Sequence, residues 1–472
     1  MIPLIAAGCI TVGPDYQRPA VETPAAFRFA EPAAQELADT AWWGQFQDPV
    51  LDGLVREALE RNKDLLIATA RIEEFFGRYF STRGDQFPAA GGSAGAFRQR
   101  QTKRGLTRLD DQDNPYDQFE AFFNAAWEID FWGKFRRATE AARAELLGTE
   151  EARRTVVLTL VSAVATAYVD LRALDQQLEI TRRTAESRRD TLAIFDLRFR
   201  NGVISEVDLS QAESEYEDAL ARIPDLERAI AQTENALSVL LGRDPGPIAR
   251  GAAIDRLGLP MVPAGLPSDL LARRPDIRRA EQLLIAANAR IGVARSLYFP
   301  TISLTGAFGA VSTELSNLFT SPARAWNIGV PVTVPLFTAG RIGGEVKAAE
   351  AAAEAAVHIY RQAVQNAFRE VDDALVERAK SGERLQALER QMKALRNYAR
   401  LARLRYDEGY TSYLEVLDAD RSLFNIELSY TAGQNTLFRS LINIYKSMGG
   451  GWVDQAAQAL PAQPVMGAGF IP

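Results

Sequence analysis

Sulfur and imidazole are nearly missing from this chain: 472 residues include one cysteine, Cys9, and one histidine, His358. That inventory excludes a Cys/His metal cluster and any catalytic triad that needs a histidine base, so no metal site is expected. His358 sits in an alanine-rich helical run and reads as a packing or surface residue. No uninterrupted run of about 18 apolar residues occurs, which predicts no transmembrane helix; a chain of this kind that crossed a membrane would do so as a β-barrel. Bases and acids number 54 and 61 and are interspersed, for a net charge of −7. No basic patch carries interleaved aromatics, so nucleic acid is not an expected partner. No motif sets a nucleophile beside a base, and no enzymatic chemistry is expected.

What is present is a duplication. Arg198 to Glu213 reads RFRNGVISEVDLSQAE and Arg405 to Asp420 reads RYDEGYTSYLEVLDAD, a shift of 207 residues. It pairs Gly202 with Gly409, Ser205 with Ser412, Asp208 with Glu415, and, further out, Gly133 with Gly340 and Gly242 with Gly449. Each copy has a glycine, a serine three residues later and an acid three further on, which spells a helix stop, a tight turn and a capping box. Two long helices therefore meet at a hairpin tip in each half. Upstream the shift becomes 212 residues, matching Asp64 with Asp276 and Phe87-Pro88 with Phe299-Pro300. The first copy thus carries five extra residues in a variable loop.

In chain order, residues 1–49 are read as a lipoprotein N-terminus and extended arm. Residues 50–245 form a first repeat with a β-hairpin at about 89–132, and 246–267 a Pro/Gly linker. A second repeat spans 268–450 with its hairpin at about 301–337, and 451–472 are a tail. Ala7-Gly8-Cys9 after a short apolar run suggests lipidation of Cys9, on the supposition that a longer signal precedes Met1. An ordinary thiol is the alternative, since no basic segment precedes it and Ala6 stands where leucine is commoner. Asp48 to Phe87 and Ser268 to Phe299 read as helices. From Phe119 to Phe131 odd positions are apolar and even ones largely polar, as in Glu120, Asn124, Glu128 and Asp130; Trp326 to Leu336 repeats this apolar face. Ala90 to Gln101 and Thr301 to Ser312 would be the hairpin partners.

Four strands per chain cannot close a barrel, and an open edge is forbidden in lipid, so several chains must pool them. Two chains give a barrel filled by side chains; three give twelve strands and a water-filled bore. Lys134 to about Arg200 and Arg341 to about Glu408 contain no proline and read as helices of on the order of 100 Å. Their return partners carry apolar residues at alternating steps of three and four, the seam of an antiparallel coiled coil. Pro224 lies inside the first return helix and should kink it.

These features, with Val12-Gly13-Pro14-Asp15-Tyr16 and Pro19 after Cys9, resemble the TolC-like outer-membrane efflux proteins, in the lipoprotein branch that serves resistance-nodulation-division pumps. The resemblance runs from about Cys9 to Trp452. It implies a mainly α fold with a transmembrane β-barrel: a homotrimer whose 12-stranded barrel lies in outer-membrane lipid of a Gram-negative bacterium and continues as an α-helical periplasmic tunnel. It also implies a passive export duct for small molecules, docked with a periplasmic adaptor protein and an inner-membrane pump, with no cofactor beyond an N-terminal lipid anchor on Cys9. The periplasmic entrance would be gated at the tips by Asp208 and Tyr406, as a hydrogen-bonded pair, and by rings of Glu415 and Asp418 beside the turns at Gly202 and Gly409. Thr411 stands where the family's tunnel has an arginine, so the resemblance does not extend to a cross-chain ionic lock there. Helix capping is the competing role for Asp208 and Glu415. A protein-secretion duct and a non-conducting, periplasm-spanning coiled-coil lipoprotein are the competing functions.

Overall fold

The computed structural model describes residues 11–24, 26–29, 41–102, 104, 115–262, 269–449 and 452–453. The first repeat runs α1 (Pro49–Arg61), α2 (Lys63–Gly84), β1 (Ala89–Gln99), β2 (Tyr116–Glu128), α3 (Lys134–Arg200) and α4 (Glu206–Leu240). The second runs α5 (Leu270–Arg273), α6 (Pro275–Ser296), β3 (Thr301–Ser312), β4 (Arg324–Gly329), β5 (Val332–Thr333), α7 (Arg341–Asp407) and α8 (Tyr413–Ser447). The two long helices are 67 residues each and the two return helices 35 each. Left-handed glycines fall at matching places: Gly133 and Gly340, Gly202 and Gly409, Gly242 and Gly449.

Two expected helices are broken. The Asp48–Phe87 run stops at Asn62, whose side chain caps α2 by accepting from Leu65 N, and the later run stops at Arg274, ahead of Pro275. The breaks are equivalent in the duplication and make the same bond. Asn62 Nδ2 donates to Leu240 O at 2.9 Å, and Arg274 Nη1 donates to Ser447 O at 2.8 Å. Each break residue thus satisfies a last-turn carbonyl of its return helix, a group no intrahelical donor can reach. α4 stays helical through Pro224. The Trp42-Trp43 pair, expected in an extended arm, starts a 3₁₀ turn over Trp42–Phe46, with Trp42 and Phe46 buried.

The chain forms two compact units, and each draws segments from both repeats. One unit, Met1–Ala20, Arg71–Thr149 and Arg279–Tyr360, holds the sheet. Its strand order is β1-β2-β3-β4, all antiparallel, with β5 continuing the pairing to β3. β2 starts and stops about three residues earlier than its alternation suggests, and its counterpart is split into β4 and β5 at Pro331. The hairpin register survives duplication pair by pair: Ala90↔Ala125 corresponds to Ile302↔Val332, Ser93↔Phe122 to Thr305↔Gly329, and Ala96↔Phe119 to Phe308↔Trp326.

Phe123, Phe308 and Trp326 are directly opposed across three strands and share one face with Trp127, Leu304 and Ile328. The other face carries Gln118, Glu120, Asn124, Ser303 and Asn327. Beside the sheet, Ala141 and Ala144 of α3 pack on Ala286 and Ala289 of α6, and Ala287 and Ile291 pack on Ala353 of α7. Small side chains let these helices approach closely. The described start of the chain straps the same helices: Val12 N donates to Trp132 O, Arg137 pairs with Asp15 at 2.6 Å, and Arg18 and Tyr16 both donate to Glu281. A Cβ on Gly13 would lie 2.5 Å from Gly292 Cα, so that crossing needs glycine.

The other unit, Val21–Ala70, Glu150–Arg278 and Arg361–Pro472, has its core around α3, where Val157, Val161, Val164, Tyr168 and Leu171 are buried at alternating steps of four and three. α3 has one window long and apolar enough to cross a membrane by length and composition alone. That window is 61% buried, and its valines pack against α1, α4 and α8, as in a core helix. Asp48, 1% exposed, accepts from Val50 N, Ala252 N and Tyr168 Oη, tying the start of α1 and the linker to α3.

Candidate functional site

The duplicated motif places both hairpin tips in the second unit. At the first, Gly202 (φ 72°) ends α3: Gly202 N donates to Phe199 O and Val203 N to Arg198 O, a Schellman stop. Gly409 (φ 78°) does the same for α7, with Gly409 N on Tyr406 O and Tyr410 N on Arg405 O. Three residues on, the copies diverge. Ser205 and Asp208 form the reciprocal capping box that the sequence predicts, at 3.2 Å and 3.1 Å. Ser412 makes no side-chain cap. The Glu415 carboxylate that would complete that box is held instead by Arg405 at 2.9 Å and by the Thr411 hydroxyl.

The expected Asp208–Tyr406 pair is not formed within the chain. The Asp208 carboxylate is taken up by Ser205 N and Oγ, and the Tyr406 hydroxyl accepts from Arg198 Nη1 at 2.5 Å, with the guanidinium 5.9 Å from its ring centre. Arg198 and Arg405 open the two motif copies. Their identity in the repeat was the available signal for the groups that engage Tyr406 and Glu415. Beneath the turns, Phe195, Ala212, Ala402, Tyr413, Val416 and Ala419 form one apolar cluster drawn from α3, α4, α7 and α8. The Phe195 and Tyr413 rings lie 4.2 Å apart.

Beside this cluster is an open cleft of about 570 Å³, lined by Gln211 and Glu215 of α4, Tyr398 of α7, and Glu415, Asp418 and Arg421 of α8. Glu415 and Asp418 share one helix face, as their spacing requires. Each carboxylate already has an arginine: Glu215 with Arg188 at 2.7 Å, Glu415 with Arg405, and Asp418 with Arg421 at 3.1 Å. The Arg405–Glu415 and Arg421–Asp418 pairs face solvent and hold about 0–1 kcal/mol, so those two acids can exchange partners at little cost, whereas Arg188 and Glu215 are largely buried. Burial and the nearby Asp418 and Glu415 carboxylates push the Tyr398 phenol up. Burial also raises Tyr413. Cys9 lies outside the described residues. No group of three or more His, Cys, Asp or Glu side chains placed to hold a metal occurs among the described residues.

The family model described as "Outer membrane efflux protein" matches residues 54–243 and 266–450. The chain belongs to that family. This efflux protein is 37% identical over 461 residues to the "Solvent efflux pump outer membrane protein SrpC" of Pseudomonas putida, spanning 95% of the chain and 97% of the relative. It is 35% identical, over 95% of its length and 97% of the relative's, to the "Probable outer membrane lipoprotein SilC" of Salmonella typhimurium. Its fold matches that of the Neisseria gonorrhoeae MtrE outer membrane channel, solved in an open state, with a TM-score of 0.85 and 32% identity over 94% of this chain and 98% of that one. The efflux protein is therefore the outer-membrane component of an efflux pump, in a family of channels and not of enzymes.

Proposed function

We propose that three copies of this chain pool their strands into a 12-stranded barrel across the outer membrane, with the helices continuing as a periplasmic tunnel for passive export. A periplasmic adaptor and an inner-membrane pump would load it with small molecules, a class that includes the solvents named for its Pseudomonas relative. A lipid on Cys9 would add an anchor, in keeping with the lipoprotein name of its Salmonella relative. The single observation that carries this reading is the sheet. Its apolar face is bare, with Trp326 at 71%, Ile328 at 73% and Phe308 at 62% exposure, and β1 and β4 have no outer neighbour among the described residues. Each such side chain is worth about 1.5–3 kcal/mol when buried, so together they rival the whole stability of a domain. Lipid on that face and further chains at the edges remove both costs. The polar face then lines a bore that three chains make wide enough for water.

At the entrance, Asp208, Tyr406, Glu415 and Asp418, held by the Gly202 and Gly409 turns, would form the gate, and three copies of Glu415 and Asp418 would ring it with negative charge. Purified protein in planar bilayers should conduct ions and run as a heat-modifiable trimer. A monomer without conductance overturns the duct. Asp418→Ala should weaken block by divalent cations; unchanged block removes Asp418 from the gate.

A further inference from the structure

The duplication leaves one junction that occurs inside the chain and must recur outside it. β1·β2 and β3·β4 are repeat copies with identical register, whereas β2·β3 joins the end of the first hairpin to the start of the second. Its repeat would join β4 and β5 of one chain to β1 of the next. We infer that β2·β3 is the template for the contact between copies, so that β4–β5 pairs antiparallel with the β1 strand of a second copy of this chain in one defined register. Moving each side of the template by its own repeat shift turns Phe123↔Phe308 into Val330 against Ala96 of the next copy. Ala125↔Gly306 becomes Val332 against Ala94, Ala126↔Thr305 becomes Thr333 against Ser93, and Glu120↔Val311 becomes Asn327 against Gln99. The inference rests on the pooled-barrel reading and adds to it which residues meet.

Three observations agree with that register. The first is hydrogen-bond direction. Ile129 N donates to Ile302 O at 2.9 Å, so Ile129 and its alternate neighbours in β2 turn their backbone groups toward β3. Their repeat partners are Ile328, Val330, Val332 and Val334, which must therefore turn theirs toward the open edge. Independently, Ser303 N donates to Pro331 O at 3.1 Å, which turns Pro331 inward to β3 and its neighbours Val330 and Val332 outward. The proline's missing N–H is thus lost inside the hairpin, and the outer edge keeps its donors.

The second is the face. Val330 and Val332 lie on the apolar side of the sheet, as do Ala94 and Ala96, and a slip of one residue would turn every side chain to the wrong medium. The third is size. Val330, Val332 and Val334 of the β4–β5 edge meet Ala96, Ala94 and Gly92 of the β1 edge, large against small across the seam, while Ile328 meets Arg98. This pairing also accounts for the weak alternation of β1, a strand whose small residues receive a neighbour's bulk.

Thr333 and Ser93 would form a non-hydrogen-bonded pair on the polar, water-facing side, where Cα atoms about 4.5 Å apart admit a disulfide. The test is Ser93→Cys with Thr333→Cys, and Gln99→Cys with Asn327→Cys, oxidised in outer membranes and run on non-reducing gels. The single-cysteine variants are controls for the sulfur of Cys9. Both pairs should give covalent dimers and trimers for most of the chain. Gly91→Cys or Gly95→Cys combined with Thr333→Cys probes slips of two residues. If either cross-links more than Ser93→Cys, or if no pair cross-links while native mass spectrometry still finds trimers, the register is wrong and the duct reading stands. A monomer in native mass spectrometry overturns both.

Discussion

Replacing Asp48 should release the linker that joins the two repeats, and the size of the effect can be worked from its bonds. The carboxylate is 1% exposed and accepts Val50 N at 2.9 Å, Ala252 N at 2.9 Å and Tyr168 Oη at 2.6 Å, while Gly251 N donates to that hydroxyl at 3.0 Å. Asp48→Ala removes an N-cap, worth about 1 kcal/mol, and strands two buried donors at about 1–3 kcal/mol each. With partial relaxation the net cost is about 3–5 kcal/mol, a change of at least a hundredfold in any opening equilibrium it controls. Tryptic cleavage at Arg250 and Arg256 reads that opening, because cleavage of a transiently open segment follows its population when reclosing is fast. The expected order of cleavage rates is wild type, then Asp48→Asn, then Asp48→Ala. Tyr168→Phe placed on top of Asp48→Ala should cost less than it does alone, since the O–H it deletes has already lost its acceptor and only the bond from Gly251 N remains to be broken. Cleavage of Asp48→Ala at the wild-type rate, or strict additivity in the double variant, would refute the reasoning.

At the second tip, Gly409→Ala has open space for its Cβ, so its cost should be the left-handed backbone alone, about 1–2 kcal/mol, read as a lower thermal midpoint of the helical signal. Burial by itself would raise the Glu234 carboxyl, but the Arg250 guanidinium at 2.5 Å and Ile248 N at 3.0 Å outweigh it and hold it below the usual carboxylate range. Its contribution is therefore complete above the unfolded carboxylate pKa and lost as pH falls through the depressed value. Peptic sensitivity of the linker, scaled at each pH to cleavage of an unstructured peptide, should rise as pH falls for wild type, and Glu234→Gln should flatten that part of the profile. Arg274 is 4% exposed and binds Asp276, Glu370 and Ser447 O; both carboxylates are partly open to water, so Arg274→Ala should chiefly strand the Ser447 carbonyl, at a cost of about 1–3 kcal/mol, and Asn62→Ala should cost less, measured as heat stability of the assembled protein.

Local chemistry was readable without a structure wherever it depended on near neighbours in the chain. The glycine stops at Gly202 and Gly409, the Ser205–Asp208 box, the long helices and the alternation of β2 are set by backbone sterics and by side-chain period, and the duplication fixes their order twice. What depended on which side chain arrives first from elsewhere was not readable. Ser412 and Glu415 have the spacing of a capping box, but Arg405 and Thr411 reach the carboxylate. Asp208 and Tyr406 suit each other, but Ser205 and Arg198 occupy them. The breaks at Asn62 and Arg274 were hidden because the apolar period runs through them, and only the nearby end of a return helix gives those side chains a reason to leave the helical ladder. The sequence by itself determined the elements, their period and their duplication. The tertiary structure decided which partner each polar group takes, because a buried hydrogen bond is allotted by distance in space, which a linear repeat does not encode.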